Sequence, residues 1–223
     1  MSERFAVLKK FEELAAWYDA RPFGGDEWQE NYNISPARMI PVLVEEPDGR
    51  ELRLMKWGLV PFWAKADKIG ASMINARAEE VQEKPGFRDS FKDKRCIIPA
   101  SGFYAWQKLI RSKEPWYFTP KDDLFSFAGL WSRWISPDSI ELESCTIITT
   151  NANELVKPVS DRMPAMLGDK DWSPWLAKKT RANDLLELLA PLPASQMKAT
   201  RVSTYVNTAK NNGPKCIEAL DSP

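Results

Sequence analysis

The chain is built from short runs of β-branched, aromatic and other apolar residues, which proline and glycine interrupt repeatedly. Residues 39–44 and 52–57 are two such runs, and the turn-forming sequence at 47–50 lies between them, which predicts a β-hairpin. Short helical patterns are interspersed with the strands. Many short strands alternating with helices favour an α+β domain over a doubly wound parallel sheet. Because no repeat or linker divides the sequence, we expect one domain over residues 1–223.

The same patterns predict the other elements. Residues 5–18 indicate a strand that runs into a helix, because apolar side chains recur at helical spacing after residue 11. Residues 31–36 are rich in turn formers. Strands are predicted at 96–98, 103–106, 116–119, 125–131, 145–149 and 201–206. Helices are predicted at 76–83, 152–156, 172–176 and 182–189.

The sequence contains no histidine, and this absence limits its chemistry. Serine–histidine and cysteine–histidine nucleophile pairs are excluded, as are zinc sites that need imidazole. Lysine plus arginine equals aspartate plus glutamate at 31 each, so the chain has no overall basic field. A nucleic-acid site would therefore have to be a local patch of cations.

The cysteine pattern indicates neither a disulfide framework nor a metal site. Cys96, Cys145 and Cys216 lie far apart and form no C-x-x-C pair. Scattered thiols fit a reducing compartment, and we see no apolar run of the ~20 residues that a membrane span needs. The charged N-terminus does not resemble a signal peptide. We therefore expect a cytoplasmic monomer with no membrane, metal or cofactor.

One generic nucleophile motif occurs at Ser195 and Lys198, which match the S-x-x-K pattern of serine–lysine hydrolases. The motif fixes only two positions, and no K-T-G accompanies it, so a serine–lysine peptidase is a weakly supported alternative. The sequence has no G-x-S-x-G, no Walker loop and no G-x-G-x-x-G, so nothing in it indicates a nucleotide cofactor.

A richer constellation combines arginine, asparagine and tryptophan at turn-like positions, within 57–65, 74–79, 99–106 and 160–164. Guanidinium groups that clamp phosphates and rings that stack on bases would suit single-stranded nucleic acid. The alternative is that the tryptophans fill the core and the arginines pair with surface carboxylates. Residue chemistry alone leaves both interpretations open.

At these residues the chain resembles the SRAP family, the SOS-response-associated peptidases or abasic-site-processing proteins. The resemblance extends over nearly the whole chain, and its specificity comes from many short motifs in one order. These are R-F at 4–5, Y-N at 32–33 with Pro36, W-G-L-V-P-x-W at 57–63, I-N-A-R at 74–77, F-R at 87–88, R-C-x-x-P at 95–99, G-F-Y-x-W at 102–106, A-G-L-W at 128–131, I-T-T at 148–150, D-R-M-P at 161–164 and N-N-G-P at 211–214.

The resemblance implies a pseudo-barrel of mostly antiparallel strands with peripheral helices. It also implies a chemistry in which an N-terminal cysteine, exposed by removal of the initiator Met, joins an abasic site in single-stranded DNA as a thiazolidine. Here the second residue is Ser2. If Met1 were removed, the α-amine of Ser2 would still allow an imine, because an ordinary α-amine has a pKa of about 7.7–8.0. Its hydroxyl is a poorer nucleophile than a thiol, so we expect a transient Schiff base at most.

Two further positions depart from the family pattern. Ala105 stands where the family has a proton-handling glutamate, and Ser160 stands where it has a histidine. General acid–base groups typically contribute 10²–10⁴-fold in rate, so the double loss should be severe. Glu3 replaces a glycine and adds a negative charge near the expected phosphate path. The small replacements fit a natural pseudoenzyme and a deliberately inactivated variant equally well.

Other positions match the family. Asn75 corresponds to a residue that hydrogen-bonds the opened sugar, and Thr149 lies near the same site. The resemblance assigns phosphate contacts to Arg4, Arg77 and Arg162, and base stacking beside the lesion to Trp63. We therefore expect a protein that binds abasic single-stranded DNA and whose covalent chemistry is lost or weakened. The alternatives are a weak lyase or crosslinker acting through the Ser2 amine, and a peptidase using Ser195 and Lys198, or Ser2 for self-processing.

Overall fold

A computed structural model describes residues 3–25 and 27–220. Ser2 lies outside the described residues. The strands are β1 (Phe5–Val7), β2 (Arg21–Pro22), β3 (Asn31–Ile34), β4 (Met39–Glu46), β5 (Gly49–Trp57), β6 (Asn75–Arg77), β7 (Arg95–Ala100), β8 (Gly102–Lys108), β9 (Lys113–Pro120), β10 (Phe125–Ile135), β11 (Glu141–Asn151), β12 (Arg162–Pro164) and β13 (Met197–Arg201). The α-helices are α1 (Phe11–Trp17), α2 (Arg88–Asp93), α3 (Trp172–Leu176) and α4 (Ala182–Glu187).

The larger sheet closes on itself as a five-stranded barrel. Its strands run in the order β11, β10, β7, β4 and β5, with antiparallel pairing between neighbours. The ring closes because β5 also pairs with β11, in parallel, at Cys145 and Trp57. Apolar side chains such as Leu43, Ile97 and Ile147 alternate into the buried interior. Most pairings are antiparallel, as the resemblance implies.

A second sheet packs against this barrel. Its order is β13, β9, β8, β1 and β3, again antiparallel. Phe5 of β1 joins the two sheets, since its ring lies 5.1 Å from that of Trp57 and 6.0 Å from that of Phe127, both edge to face. Edge-to-face rings at this spacing add to the stability that burial alone provides. The start of β1 is thereby fixed between the sheets.

The α+β class is confirmed, and so are the hairpin of β4 and β5 and the strand-to-helix unit at the start of the chain. The predicted helix at 76–83 is wrong, because residues 75–77 form β6 and residues 78–83 form turns. Strand β6 pairs in parallel with β11, placing Asn75 opposite Ile147 and Arg77 opposite Thr149. That long-range pairing overrides the local helical pattern.

Three more local predictions need correction. Residues 152–156 are not helical, because the Asn153 side chain accepts hydrogen bonds from the backbone N–H groups of Leu155 and Val156 and holds a turn. The last strand is β13, which ends at Arg201 where the predicted strand begins, and residues 204–207 form a 3₁₀ turn. Residues 31–34 form β3 instead of turns, because they pair with β1.

The tryptophans divide between the two interpretations left open by their chemistry. Trp57 and Trp175 are buried in the core, where their Nε1 groups donate to the carbonyls of Ile74 and Cys96. Trp63 is 48% exposed. Within the described part of the chain, no helix is long and apolar enough to cross a membrane.

Candidate functional site

A cleft of about 1090 Å³ opens beside the first described residues of the chain. Strand β8, the turn that follows β11 and the start of β12 form its walls. Its lining is rich in cations, namely Arg4, Arg77, Lys108, Lys113, Lys157 and Arg162. The carboxylates among the described lining residues are Glu3 and Asp161. A chain with no net charge therefore carries a local excess of positive charge here.

Strand pairing brings these distant residues together. Arg4 precedes β1, and its carbonyl accepts a hydrogen bond from the Tyr104 N–H of β8, next to Ala105. On the other side, β6 and β12 both pair with β11. Arg77 then lies opposite Thr149, and Arg162 lies opposite Asn151, at one end of the barrel.

Hydrogen bonds to Asn33 and to the Val206 carbonyl hold the Arg4 side chain in place. One terminal nitrogen donates to Asn33 Oδ1 at 2.9 Å and to the Val206 carbonyl at 3.2 Å. Asn33 is buried and itself donates to the carbonyls of Val206, Thr208 and Asn211. Burial lowers the pKa of Arg4, although a guanidinium stays charged at any physiological pH. Asn33 therefore fixes a permanent cation at the edge of the cleft.

The Arg162 side chain makes more hydrogen bonds than that of Arg4. Its two terminal nitrogens donate to the two carboxylate oxygens of Glu79, at 2.7 and 2.9 Å. The same nitrogens donate to Asn151 Oδ1 at 3.0 Å and to the Thr149 carbonyl at 2.5 Å. The hydrogen bond from Arg162 holds the pKa of Glu79 below the ordinary value of a glutamate. The guanidinium thus ties β12 to β11 and to the turn after β6.

Ala105 and Ser160, where the resemblance expects a glutamate and a histidine, both line the cleft. Ala105 lies on β8, opposite Trp116 of β9, and is buried. Ser160 donates its hydroxyl to the Arg162 carbonyl at 2.8 Å and accepts from the Arg162 N–H at 3.3 Å. A methyl group exchanges no proton, and this hydroxyl is engaged with the backbone. Neither side chain is suited to general acid–base work near neutral pH.

Other predicted residues lie outside the cleft lining. Thr149 is buried behind it, with Oγ1 donating to the Ala76 carbonyl at 3.3 Å. Asn75 is half-buried on β6, two residues before Arg77. Trp63 lies on the loop after β5, which Trp134 Nε1 holds by donating to the Ala64 carbonyl at 2.7 Å. The structure therefore gathers the predicted arginines with positions 105 and 160, but not Trp63.

The predicted serine–lysine pair shows no assembled site. Ser195 and Lys198 are exposed, and Lys198 lies on β13 opposite Thr119. Among the described residues, the two side chains share no hydrogen bond and neither lines the cleft. The described part of the chain also holds no group of three or more cysteines, aspartates or glutamates that could bind a metal ion.

Sequence reasoning missed several residues of the cleft. Lys108 and Lys113 flank a tight turn in the chain, and Lys157 lies three residues before Ser160. Trp106, which the G-F-Y-x-W motif already included, forms part of the wall, and its Nε1 donates to Asn207 Oδ1 at 2.7 Å. A lysine on each side of a short turn is the one sequence signal that points to a shared, positively charged hairpin.

Comparisons with known proteins give matches over most of the chain. The model of the family described as SOS response associated peptidase (SRAP) matches residues 1–209. Abasic site processing protein YoqW of Bacillus subtilis (strain 168) is 41% identical over 223 residues, covering 98% of this chain and 100% of the relative. Abasic site processing protein HMCES of Xenopus tropicalis is 32% identical over 237 residues, covering 92% of this chain and 70% of the relative. The crystal structure of a Bacteroides thetaiotaomicron protein superposes with a TM-score of 0.90 at 27% identity, covering 97% and 99% of the two chains.

Proposed function

Because the chain belongs to the SRAP family of SOS response associated peptidases, we propose that it binds single-stranded DNA at abasic sites without forming a durable covalent bond. The observation that carries this proposal is the composition of the cleft. Cations line it, while positions 105 and 160 present a methyl group and a backbone-bonded hydroxyl. The cleft therefore has the cations that DNA binding needs, but positions 105 and 160 carry no side chain that transfers protons.

The cleft suits a polyanion of narrow cross-section. Arginine and lysine attract phosphate through charge and through N–H donors. Arg77 is free to rearrange, since its side chain is 61% exposed and its nearest carboxylate, on Glu80, is 3.7 Å away. Trp106 adds an aromatic wall. A single strand in the cleft would contact positively charged side chains on several sides and the ring of Trp106 on one side.

The same cleft is poorly equipped for the family's covalent step. Formation of the linkage needs a nucleophile at residue 2 and a group that moves protons during ring opening and imine formation. Residue 2 is a serine, and a hydroxyl closes a less stable ring than a thiol. Ala105 and Ser160 replace the groups that would transfer protons, and each such group is typically worth about 10²–10⁴ in rate. Reversible binding is the function that remains.

Abasic single-stranded DNA tests this directly. The protein is incubated with a labelled oligonucleotide carrying one abasic site, with and without borohydride, and resolved on a denaturing gel. We expect no heat-stable adduct without reductant, and a heat-stable adduct would overturn the proposal. An adduct trapped only by borohydride would support the alternative in which the Ser2 amine forms an imine.

A matched gain-of-function variant supplies the positive control. The combined substitutions Ser2→Cys, Glu3→Gly, Ala105→Glu and Ser160→His restore the residues that the family pattern has at these positions. We expect this variant to form a heat-stable adduct, whereas Ser2→Cys alone should form it far more slowly. If the combined variant binds the oligonucleotide but never crosslinks, the four replacements do not account for the lost chemistry.

A further inference from the structure

We propose that Lys108, Lys113 and Lys157 contact the phosphates of a strand in this cleft, in addition to the arginines that line it. The three side chains are defined here as the lysine rim. This inference rests on the proposed function, because it assumes that a single strand occupies the cleft. It adds phosphate contacts that lie outside the arginine motifs.

Lys108 and Lys113 form a cross-strand pair of like charges. They lie directly opposite each other where β8 and β9 meet, and both are exposed. Like charges in this arrangement destabilise a hairpin. The neighbouring carboxylate does not relieve them, because Glu114 accepts a hydrogen bond from Arg201 at 2.6 Å. A bound phosphate would reduce the repulsion between the two ammonium groups of Lys108 and Lys113.

The tip of this hairpin stands away from the rest of the protein. Its turn is closed by a hydrogen bond of 2.9 Å from the Leu109 N–H to the Ser112 carbonyl. Ile110 at the tip is fully exposed, and Leu109 is 45% exposed. The tip of the β8–β9 hairpin is therefore largely exposed, and Lys108 and Lys113 at its base are open to solvent and to the cleft.

Lys157 lies next to the same hairpin. The β8–β9 hairpin contacts the turn that contains Lys157, since Gln107 Nε2 donates to the Pro158 carbonyl at 3.5 Å. Lys157 is exposed and lines the same cleft. Across the described chain, none of the three rim lysines forms a salt bridge, although fifteen such bridges occur elsewhere. Three unpaired ammonium groups therefore border one opening.

Arg162, unlike the rim lysines, is engaged with partners in the protein. All four hydrogens on its terminal nitrogens have acceptors, on Glu79, Asn151 and Thr149. Its remaining donor, Nε, is buried and makes no hydrogen bond within the described structure. A phosphate at Arg162 would therefore compete with the bidentate carboxylate of Glu79. The rim lysines have no such competing carboxylate among the described residues.

Salt dependence measures how many phosphates a protein contacts. For single strands, each neutralised phosphate contributes about 0.7 to the slope of log affinity against log salt. Removal of the lysine rim should therefore reduce the slope by about 2 and weaken binding by at least about tenfold at ~50 mM salt. Phosphate contacts carry no base information, so intact and abasic strands should lose affinity equally.

The test compares two triple variants of the full chain. One carries Lys108→Gln, Lys113→Gln and Lys157→Gln, and the control carries Lys178→Gln, Lys179→Gln and Lys210→Gln, three exposed lysines outside the cleft lining. Both change the net charge by the same amount. Binding of labelled oligo-dT, with and without one abasic site, is followed by fluorescence anisotropy across a salt series.

We expect the rim variant to lose affinity and slope on both strands, and the control to match the unsubstituted protein. If the rim variant keeps its affinity and slope while the unsubstituted protein binds, the lysine assignment is overturned and the proposed function stands. If the unsubstituted protein binds neither strand, the proposed function fails and the lysine assignment fails with it.

Discussion

Arg162 and Glu79 face each other fork to fork, with two parallel hydrogen bonds of 2.7 and 2.9 Å between guanidinium and carboxylate. They lie 83 residues apart in the chain. The Arg162 side chain is 14% exposed, while that of Glu79 is 49% exposed. Arg162 lines the cleft, and through its bonds to Glu79 and Thr149 this arginine of the D-R-M-P motif supports the strands around the site.

Glu79→Gln should destabilise the protein by about 1 kcal/mol, because an amide cannot accept both N–H groups of Arg162. The effect should depend on pH. Since Arg162 lowers the pKa of Glu79 in the folded state, the pair stabilises the fold above the ordinary glutamate pKa of about 4.3. This contribution disappears as the pH falls through the lower, folded-state pKa.

Thermal unfolding of both proteins at pH 7 and near pH 3 measures this. The gap in melting temperature should be present at pH 7 and narrow in acid. Glu154→Gln, at an exposed glutamate that forms no salt bridge within residues 3–25 and 27–220, serves as the control. A gap that stays constant, or that widens in acid, would show that the carboxylate charge is not what stabilises the pair.

Arg77→Ala should weaken single-strand binding without a loss of stability. Its side chain is largely exposed, and its nearest ion-pair partner is 3.7 Å away. Arg88→Ala is a matched control, because Arg88 is similarly exposed and does not line the cleft. Anisotropy with an abasic oligonucleotide should show a loss of severalfold for Arg77→Ala alone. Equal affinity for both variants would place the DNA elsewhere.

Trp63→Ala tests whether the strand extends beyond the cleft. Stacking of a base on an aromatic ring is worth about 1–3 kcal/mol, so loss of an exposed ring on the DNA path should weaken binding roughly fivefold or more. Trp17→Ala removes a tryptophan of comparable exposure, 40% against 48%, which does not line the cleft. Quenching of the tryptophan fluorescence by oligo-dT, which should be smaller in Trp63→Ala, is a second readout. No change in either would remove Trp63 from the interface.

The three thiols should be inert in the native protein. Cys96, Cys145 and Cys216 are buried and free, and burial raises the pKa of each. A thiolate is the reactive form, so none of them can replace the missing N-terminal cysteine. Alkylation with iodoacetamide at pH 8 should leave the native mass unchanged and add three groups after denaturation. Rapid native labelling would reveal a reactive thiol.

Local patterns were sufficient for some elements of this fold. The hairpin of β4 and β5 was predictable because its turn and both strands lie within residues 39–57. Residues 76–83 were not, because β6 owes its conformation to β11, which lies about 70 residues further along the chain. Likewise, Asn153 overrides a helical pattern with its own side-chain hydrogen bonds. Pairing partners of that kind leave no signal in a local window.

The site shows the same division. The resemblance indicated Arg4, Arg77, Ala105, Ser160 and Arg162, and the structure brings these positions to one cleft. It could not indicate that Arg162 donates two hydrogen bonds to Glu79, or that Lys108 and Lys113 lie opposite each other. Those facts depend on register and on side-chain packing across distant segments.

Reversibility of the DNA complex is the most direct measure of the central claim. A fluorescent abasic oligonucleotide is incubated with the protein for minutes or overnight and then chased with excess unlabelled strand. We predict that the anisotropy returns fully to the value of free DNA after both incubations. A residual signal that grows with incubation time and survives heating in detergent would show a covalent bond and contradict the claim.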